Sequence, residues 1–140
     1  MTKANAAMMH NPTSSPRIFL LALLLLFGIT CHAETPPVGT ITAAELSQRL
    51  QESRTPVILD VRTPGEYLSG HIKGALNVSH DELERRLGEL PGDRSSEIVV
   101  YCQSGRRAAI AEKILVEKGY TNIKDLAGHW QNWNARLRQQ

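Results

Sequence analysis

Thiols are scarce in this chain. Of its 140 residues only Cys31 and Cys102 are cysteines, and Cys31 falls in an N-terminal segment with the marks of a cleaved leader, so the remainder can hold no internal disulfide. Long apolar runs are equally scarce. The single one, Ile18 to Ile29, is about a dozen residues, short of the roughly 20 needed to cross a bilayer as a helix. No charge sign dominates: sixteen Lys and Arg face fourteen Asp and Glu, and residues 1–33 hold Lys3 and Arg17 but no acid, which leaves fourteen of each sign beyond them. A formally neutral domain gives no support for nucleic-acid binding. His80 and His129 have no Cys or His partner at metal-ligand spacing, so neither a zinc site nor another metal centre is expected. No internal repeat is visible.

Lys3 and Arg17 precede the apolar run, and Cys31-His-Ala33 followed by the polar Glu34-Thr-Pro-Pro37 closes it. That order reads as a secretory signal peptide cut near Ala33, which predicts an exported, periplasmic protein. An uncleaved anchor is the second reading. A lipoprotein at Cys31 is the third, although Gly28-Ile-Thr30 lacks the usual leucine and small residue. The expected organisation is therefore a signal peptide over 1–33, an exposed lead-in over 34–39 containing Pro36, Pro37 and Gly39, and one globular domain over 40–138. After cleavage Cys102 is the sole thiol, and a monomer with no stable membrane span is expected.

The domain reads as strands alternating with helices. Thr42-Ala-Ala-Glu45 has capping-box spacing, with Leu46 and Leu50 on one face, which predicts a helix over 42–52. Pro56 to Val61 is a short β-branched run suited to a strand buried on both faces. Thr63-Pro64 opens a helical turn that Gly70 stops, and 74–78 is a brief strand. Ser79-His-Asp-Glu82 repeats the capping-box spacing ahead of Leu83, Leu87 and Leu90, and Pro91-Gly92 ends that helix. Residues 97–101 form the clearest strand. Residues 106–118 form the clearest helix, with Ala109, Ile110, Ile114 and Leu115 facing inwards and Gly119 capping. A strand over 122–126 and a final helix from Gly128, carrying Trp130 and Trp133, complete the chain. This predicts an α/β domain with a parallel sheet flanked by helices on both faces and its site at the C-terminal strand ends, where Asp60 and Cys102 fall.

Ile98-Val-Val-Tyr-Cys102 ends in a short glycine-bearing loop that becomes a helix. The N–H groups at a helix start lack intrahelical partners and the helix dipole is positive there, so this loop can hold a thiolate or an incoming anion. Arg106 and Arg107 add fixed charge. Together these favour the thiolate, the nucleophilic form.

The segment from Asp60-Val-Arg62 through Glu66-Tyr67 and Gly70-His71-Ile72 to Gly74-Ala75-Leu-Asn77 is similar to the first signature of rhodanese domains. Tyr101-Cys102-Gln-Ser-Gly105-Arg-Arg107-Ala108 resembles their active-site loop, and Gly119-Tyr120 with Leu126-Ala-Gly128-His-Trp130 resembles their closing segment. The likeness runs from about residue 40 to 137 and is nearest to the single-domain, exported bacterial thiosulfate sulfurtransferases. It implies sulfur transfer without a cofactor: a Cys102 persulfide takes sulfur from a small anionic donor, thiosulfate or a persulfide, and passes it to a thiol or cyanide. By this resemblance Cys102 is the nucleophile, and Gln103, Ser104, Gly105, Arg106 and Arg107 form the cradle. Two positions depart from the family. Several members have arginine where this chain has Gln103, and the larger two-domain enzymes have arginine where it has Glu66; both departures bear on donor preference.

Other roles divide between chemistry and structure. Asp60 could serve as an acid or base, but a carboxylate capping a neighbouring loop or pairing with an arginine is the commoner use, and Arg62 is expected to brace the site. His71, in a Gly-His-Ile-Lys-Gly turn, is expected to bond backbone, and Trp130 and Trp133 to belong to the core. Cysteine phosphatases also cradle an anion at a helix start, but their loop needs arginine six residues after the cysteine, where this chain has Ala108. A non-enzymatic persulfide carrier, sensor or binding module of the cell envelope is the remaining alternative.

Overall fold

The computed structural model describes residues 37–139; the expected signal peptide, the alternative lipoprotein site at Cys31 and the first half of the lead-in, 34–36, lie outside them. Five parallel strands form one sheet in the order β1-β5-β4-β2-β3. In chain order the elements are β1 (Gly39–Ile41), α1 (Ala43–Gln51), β2 (Val57–Asp60), α2 (Pro64–Leu68), β3 (Leu76–Asn77) and α3 (Leu83–Arg86), which tightens into a 3-10 turn at Leu87–Glu89. They continue with β4 (Ile98–Tyr101), α4 (Arg106–Glu117), β5 (Ile123–Leu126) and α5 (His129–Leu137). Every residue of the central strand β4 is buried, as a parallel strand covered on both faces requires.

Helices cover both faces, as predicted. On one, Ala108, Ala111 and Leu115 of α4 and Leu83 of α3 pack against Leu59, Ile98 and Val100. On the other, Ala43 and Leu46 of α1 and Trp133 of α5 pack against Ile41, Ile58, Val99 and Tyr101. The chain leaves β2 towards β3 and leaves β4 towards β5, in opposite directions, so the C-terminal ends of these adjacent strands flank a topological switch point, where such sheets bind ligands.

Three local expectations are corrected. Gly39 does not belong to an exposed lead-in but opens β1, in register with Lys124; three residues on a sheet edge carry too little pattern to announce themselves. Ser79 caps no helix: α3 starts after Glu82, which makes no side-chain cap, and the Ser79 hydroxyl donates instead to the Arg62 carbonyl at 3.1 Å. Finally, α4 is rotated from its expected face. Ala108, Ala111 and Leu115 are buried, whereas Ala109 and Ile110 are exposed and Ile114 is half-buried. The two alanines let the helix backbone approach the sheet closely, a gain that a hydropathy pattern weighted towards isoleucine does not register.

The caps at Thr63 and Gly119 form as expected. Thr63 and Glu66 complete a reciprocal capping box, with Pro64 in the first turn. Gly119, at φ +85, turns the chain out of α4. At Thr42 only half of the box closes: its hydroxyl accepts from the Glu45 N–H at 3.1 Å, while the Glu45 carboxylate pairs with Arg49.

Candidate active site

Cys102 follows the last residue of β4 and is buried on the α4 face. Its Sγ accepts a hydrogen bond from the Gly105 N–H at 3.0 Å. Gly105 reaches that position through a φ of +116, and a methyl group in place of its hydrogen would lie 2.9 Å from the His129 imidazole, so both the backbone path and the space call for glycine. The Cys102–Gly105 turn leads directly into Arg106, the first residue of α4, so the sulfur sits at the positive end of a twelve-residue helix. The start of α5 closes the loop from the other side: the Trp130 N–H donates to the Cys102 carbonyl at 3.0 Å and the Gln131 N–H to the Gln103 carbonyl at 3.4 Å.

The expected cradle residues do not share one environment. Ser104 and Arg106 are exposed, and Gln103 and Arg107 are half-buried. Among the described residues Arg106 makes no ion pair, whereas Arg107 is held in a two-pronged pair by Glu66, at 2.6 and 2.7 Å. Glu66 first, and the neighbouring Cys102 sulfur to a lesser degree, raise the Arg107 pKa. The same pair, helped by the Thr63 hydrogen bonds and opposed by burial, drives the Glu66 carboxyl down to about 2. Glu66 is therefore ionised at any physiological pH. Forty-one positions separate the two residues, and no sequence spacing announces their contact; only the coincidence of an acid in one signature with an arginine in another could have suggested it.

Asp60 and Arg62 lie on the other side of the sheet from Cys102. Side chains alternate along β2, so Leu59 and Val61 join the cysteine's face while Asp60 and Arg62 point away from it. Both are fully buried, and the Arg62 guanidinium binds Asp60 through Nε at 3.0 Å and Nη2 at 2.6 Å. Burial opposes the Arg62 charge, but the Asp60 hydrogen bonds and charge outweigh it and leave its pKa raised. The guanidinium also donates to the Gly70 carbonyl at 2.7 Å and stacks 4.5 Å from the Trp130 ring. Hence the pair does not face the sulfur across the sheet edge; it reaches the site indirectly, through Trp130, whose N–H holds the Cys102 carbonyl, and through the Tyr101 ring, 5.5 Å from the Arg62 guanidinium and next in the chain to Cys102.

His71 bonds the Tyr67 carbonyl at 2.9 Å and stacks on that ring. Trp133 enters the core, while Trp130 is the half-buried lid over Arg62. His129, for which the sequence offers no role of its own, is buried with φ +49 and packs against Gly105. Its Nε2 is 3.7 Å from the Asp125 carboxylate, and its Nδ1 and the Glu112 Oε1 are buried without hydrogen-bond partners among the described residues. Its place in the closing segment was the one signal that tied it to the loop.

A profile of the rhodanese-like domain matches residues 42–136, and the chain belongs to that family. It is 35% identical over 96 residues to a sulfurtransferase of Allochromatium vinosum, an alignment covering 69% of this chain and 88% of that one. It is 36% identical over 70 residues to the thiosulfate sulfurtransferase PspE of Escherichia coli, covering 50% and 67% of the two chains. Among solved structures, the human single-domain sulfurtransferase TSTD1 matches with a TM-score of 0.64 and 28% identity, over 71% of this chain and 98% of that one. The single rhodanese-like domain expected from the sequence is thus the fold observed.

Proposed function

We propose that the protein is an exported sulfurtransferase in which Cys102 carries sulfur as a persulfide from a small anionic donor, thiosulfate or a persulfide, to a thiol or cyanide. The observation that carries this reading is the Gly105 N–H aimed at Cys102 Sγ from 3.0 Å at the start of α4. A donor hydrogen-bonded to sulfur at a helix N-terminus favours the thiolate and the anionic persulfide alike. The relatives named sulfurtransferase support the class of reaction. In the first half-reaction the thiolate attacks the outer sulfur of thiosulfate; the Sγ–S bond forms, the donor S–S bond breaks, and sulfite leaves with the electron pair. In the second, the acceptor attacks the outer persulfide sulfur and the Cys102 thiolate departs. The cycle consumes no oxidant or reductant.

A carrier that holds the persulfide without turnover is the second reading, favoured by likeness to a putative sulfur carrier protein of Bacillus subtilis, YrkF, 28% identical over 99 residues. Thiocyanate formation from thiosulfate and cyanide separates the two, with Cys102→Ser as control. Turnover that vanishes in the variant is expected. A stable added sulfur on Cys102 by mass spectrometry with no thiocyanate points to the carrier, and turnover surviving in Cys102→Ser refutes the mechanism. Export rests on residues 1–33, and sequencing the mature N-terminus tests it: the chain should begin near Glu34.

A further inference from the structure

We infer that Glu66 sets the charge of the sulfur donor this site accepts, selecting singly charged donors over the thiosulfate dianion. The inference rests on the sulfurtransferase reading and names the substrate class within it. Arg107 is the second residue of α4, the helix whose start holds the Cys102 sulfur, and both of its Nη groups donate to the Glu66 carboxylate, at 2.6 and 2.7 Å. A bidentate pair of this kind is close to electrically neutral from the donor's side. Among the described residues the cradle then presents uncharged loop amides and one unpaired cation, Arg106, exposed at the head of α4. One net positive charge matches a monoanion such as a persulfide or a thiosulfonate. A dianion brings a second negative charge that meets no second unpaired cation among the described cradle residues, with the Glu66 carboxylate paired to Arg107.

The pair is built to persist. Glu66 is the third helical residue of α2 and belongs to the Thr63 capping box, in which its carboxylate accepts from the Thr63 N–H at 3.0 Å and the Thr63 hydroxyl at 2.9 Å. Those bonds anchor the acid independently of Arg107, so it acts as a fixed counter-charge that sets the charge Arg107 shows to the donor.

The free energy of an ion in a field scales with its charge, so removing one negative charge near the donor helps a dianion about twice as much, in logarithmic terms, as a monoanion. Thiosulfate and methanethiosulfonate make a matched pair of probes. Each gives its outer sulfur to Cys102 by breaking an S–S bond, the first releasing sulfite and the second methanesulfinate. Glu66→Gln keeps the capping box, which accepts glutamine, and removes the charge together with one of the two acceptors that face Arg107. In the full-length chain, kcat/KM for thiosulfate should rise about tenfold and for methanethiosulfonate about threefold, a shift of about threefold in their ratio. Arg106→Gln, at an exposed position, should shift the ratio the other way and guards against a Glu66 variant that fails to fold. Equal changes with both donors in both variants overturn the inference while leaving sulfur transfer standing. Failure of the unaltered chain to form a Cys102 persulfide with either donor overturns the functional reading and the inference with it.

Discussion

Gly105 points its N–H at the Cys102 sulfur from 3.0 Å while holding a backbone angle, φ +116, that side chains other than hydrogen rarely permit. The two facts are one device: the left-handed step turns the amide inwards, and the missing side chain leaves space for His129. Gly105→Ala should therefore cost about 1–3 kcal/mol of stability from backbone strain. It should also slow persulfide formation on the order of a hundredfold, as loss of one aimed donor does elsewhere. Thermal unfolding and single-turnover sulfur transfer measure the two effects separately, and a variant as active as the parent would dismiss the role of this amide.

Asp60 should matter to stability before it matters to chemistry. Its carboxylate neutralises a guanidinium that is only 1% exposed, and Asp60→Asn leaves that charge buried without its partner. The expected cost is about 3–5 kcal/mol, read as a lower urea midpoint. Among molecules still folded, donor preference should be little altered, because the pair faces away from the sulfur; a large change in donor preference would contradict that placement.

Stability should respond to pH through two carboxyls of opposite sign. Burial first, and then the Asp125 carboxylate, push Glu112 up to about 7. With its folded value above the unfolded one, the native state holds more protons between about pH 4.5 and 7, so Glu112 should erode stability as pH rises across that window. Glu112→Gln should remove this erosion and leave the variant more stable than the parent at pH 8, by about 1–2 kcal/mol once solvent screening is allowed for. Glu66, drawn down to about 2 by Arg107, acts in the opposite sense. Its contribution is complete above about pH 4.5 and is lost as pH falls towards 2. Denaturant melts at pH 3, 5 and 8 of the parent and of Glu112→Gln check both signs; a pH-independent difference between the two would show that Glu112 titrates normally.

The alternation of elements, the parallel sheet and the thiol at a strand-to-helix junction were legible in the linear chain. Each follows from short-range physics: β-branched runs too short for helices, caps at Thr42 and Thr63, glycines at 105 and 119 where the backbone must turn. Three ordered motifs also sufficed to suggest the family. Tertiary structure alone decided which groups meet. The inward face of α4 depended on how closely Ala108 and Ala111 let it approach the sheet. The split of Asp60 and Arg62 from Cys102 depended on the two-residue alternation of strands whose ends a linear reading places together. The Glu66–Arg107 contact joins α2 to α4 across a gap that no periodicity spans. A charge in a sequence is a number; whether it faces a donor or is spent on a neighbour depends on distances that only the packed chain sets. At the loop after Cys102 that difference separates Arg107, paired with Glu66, from Arg106, which makes no ion pair among the described residues.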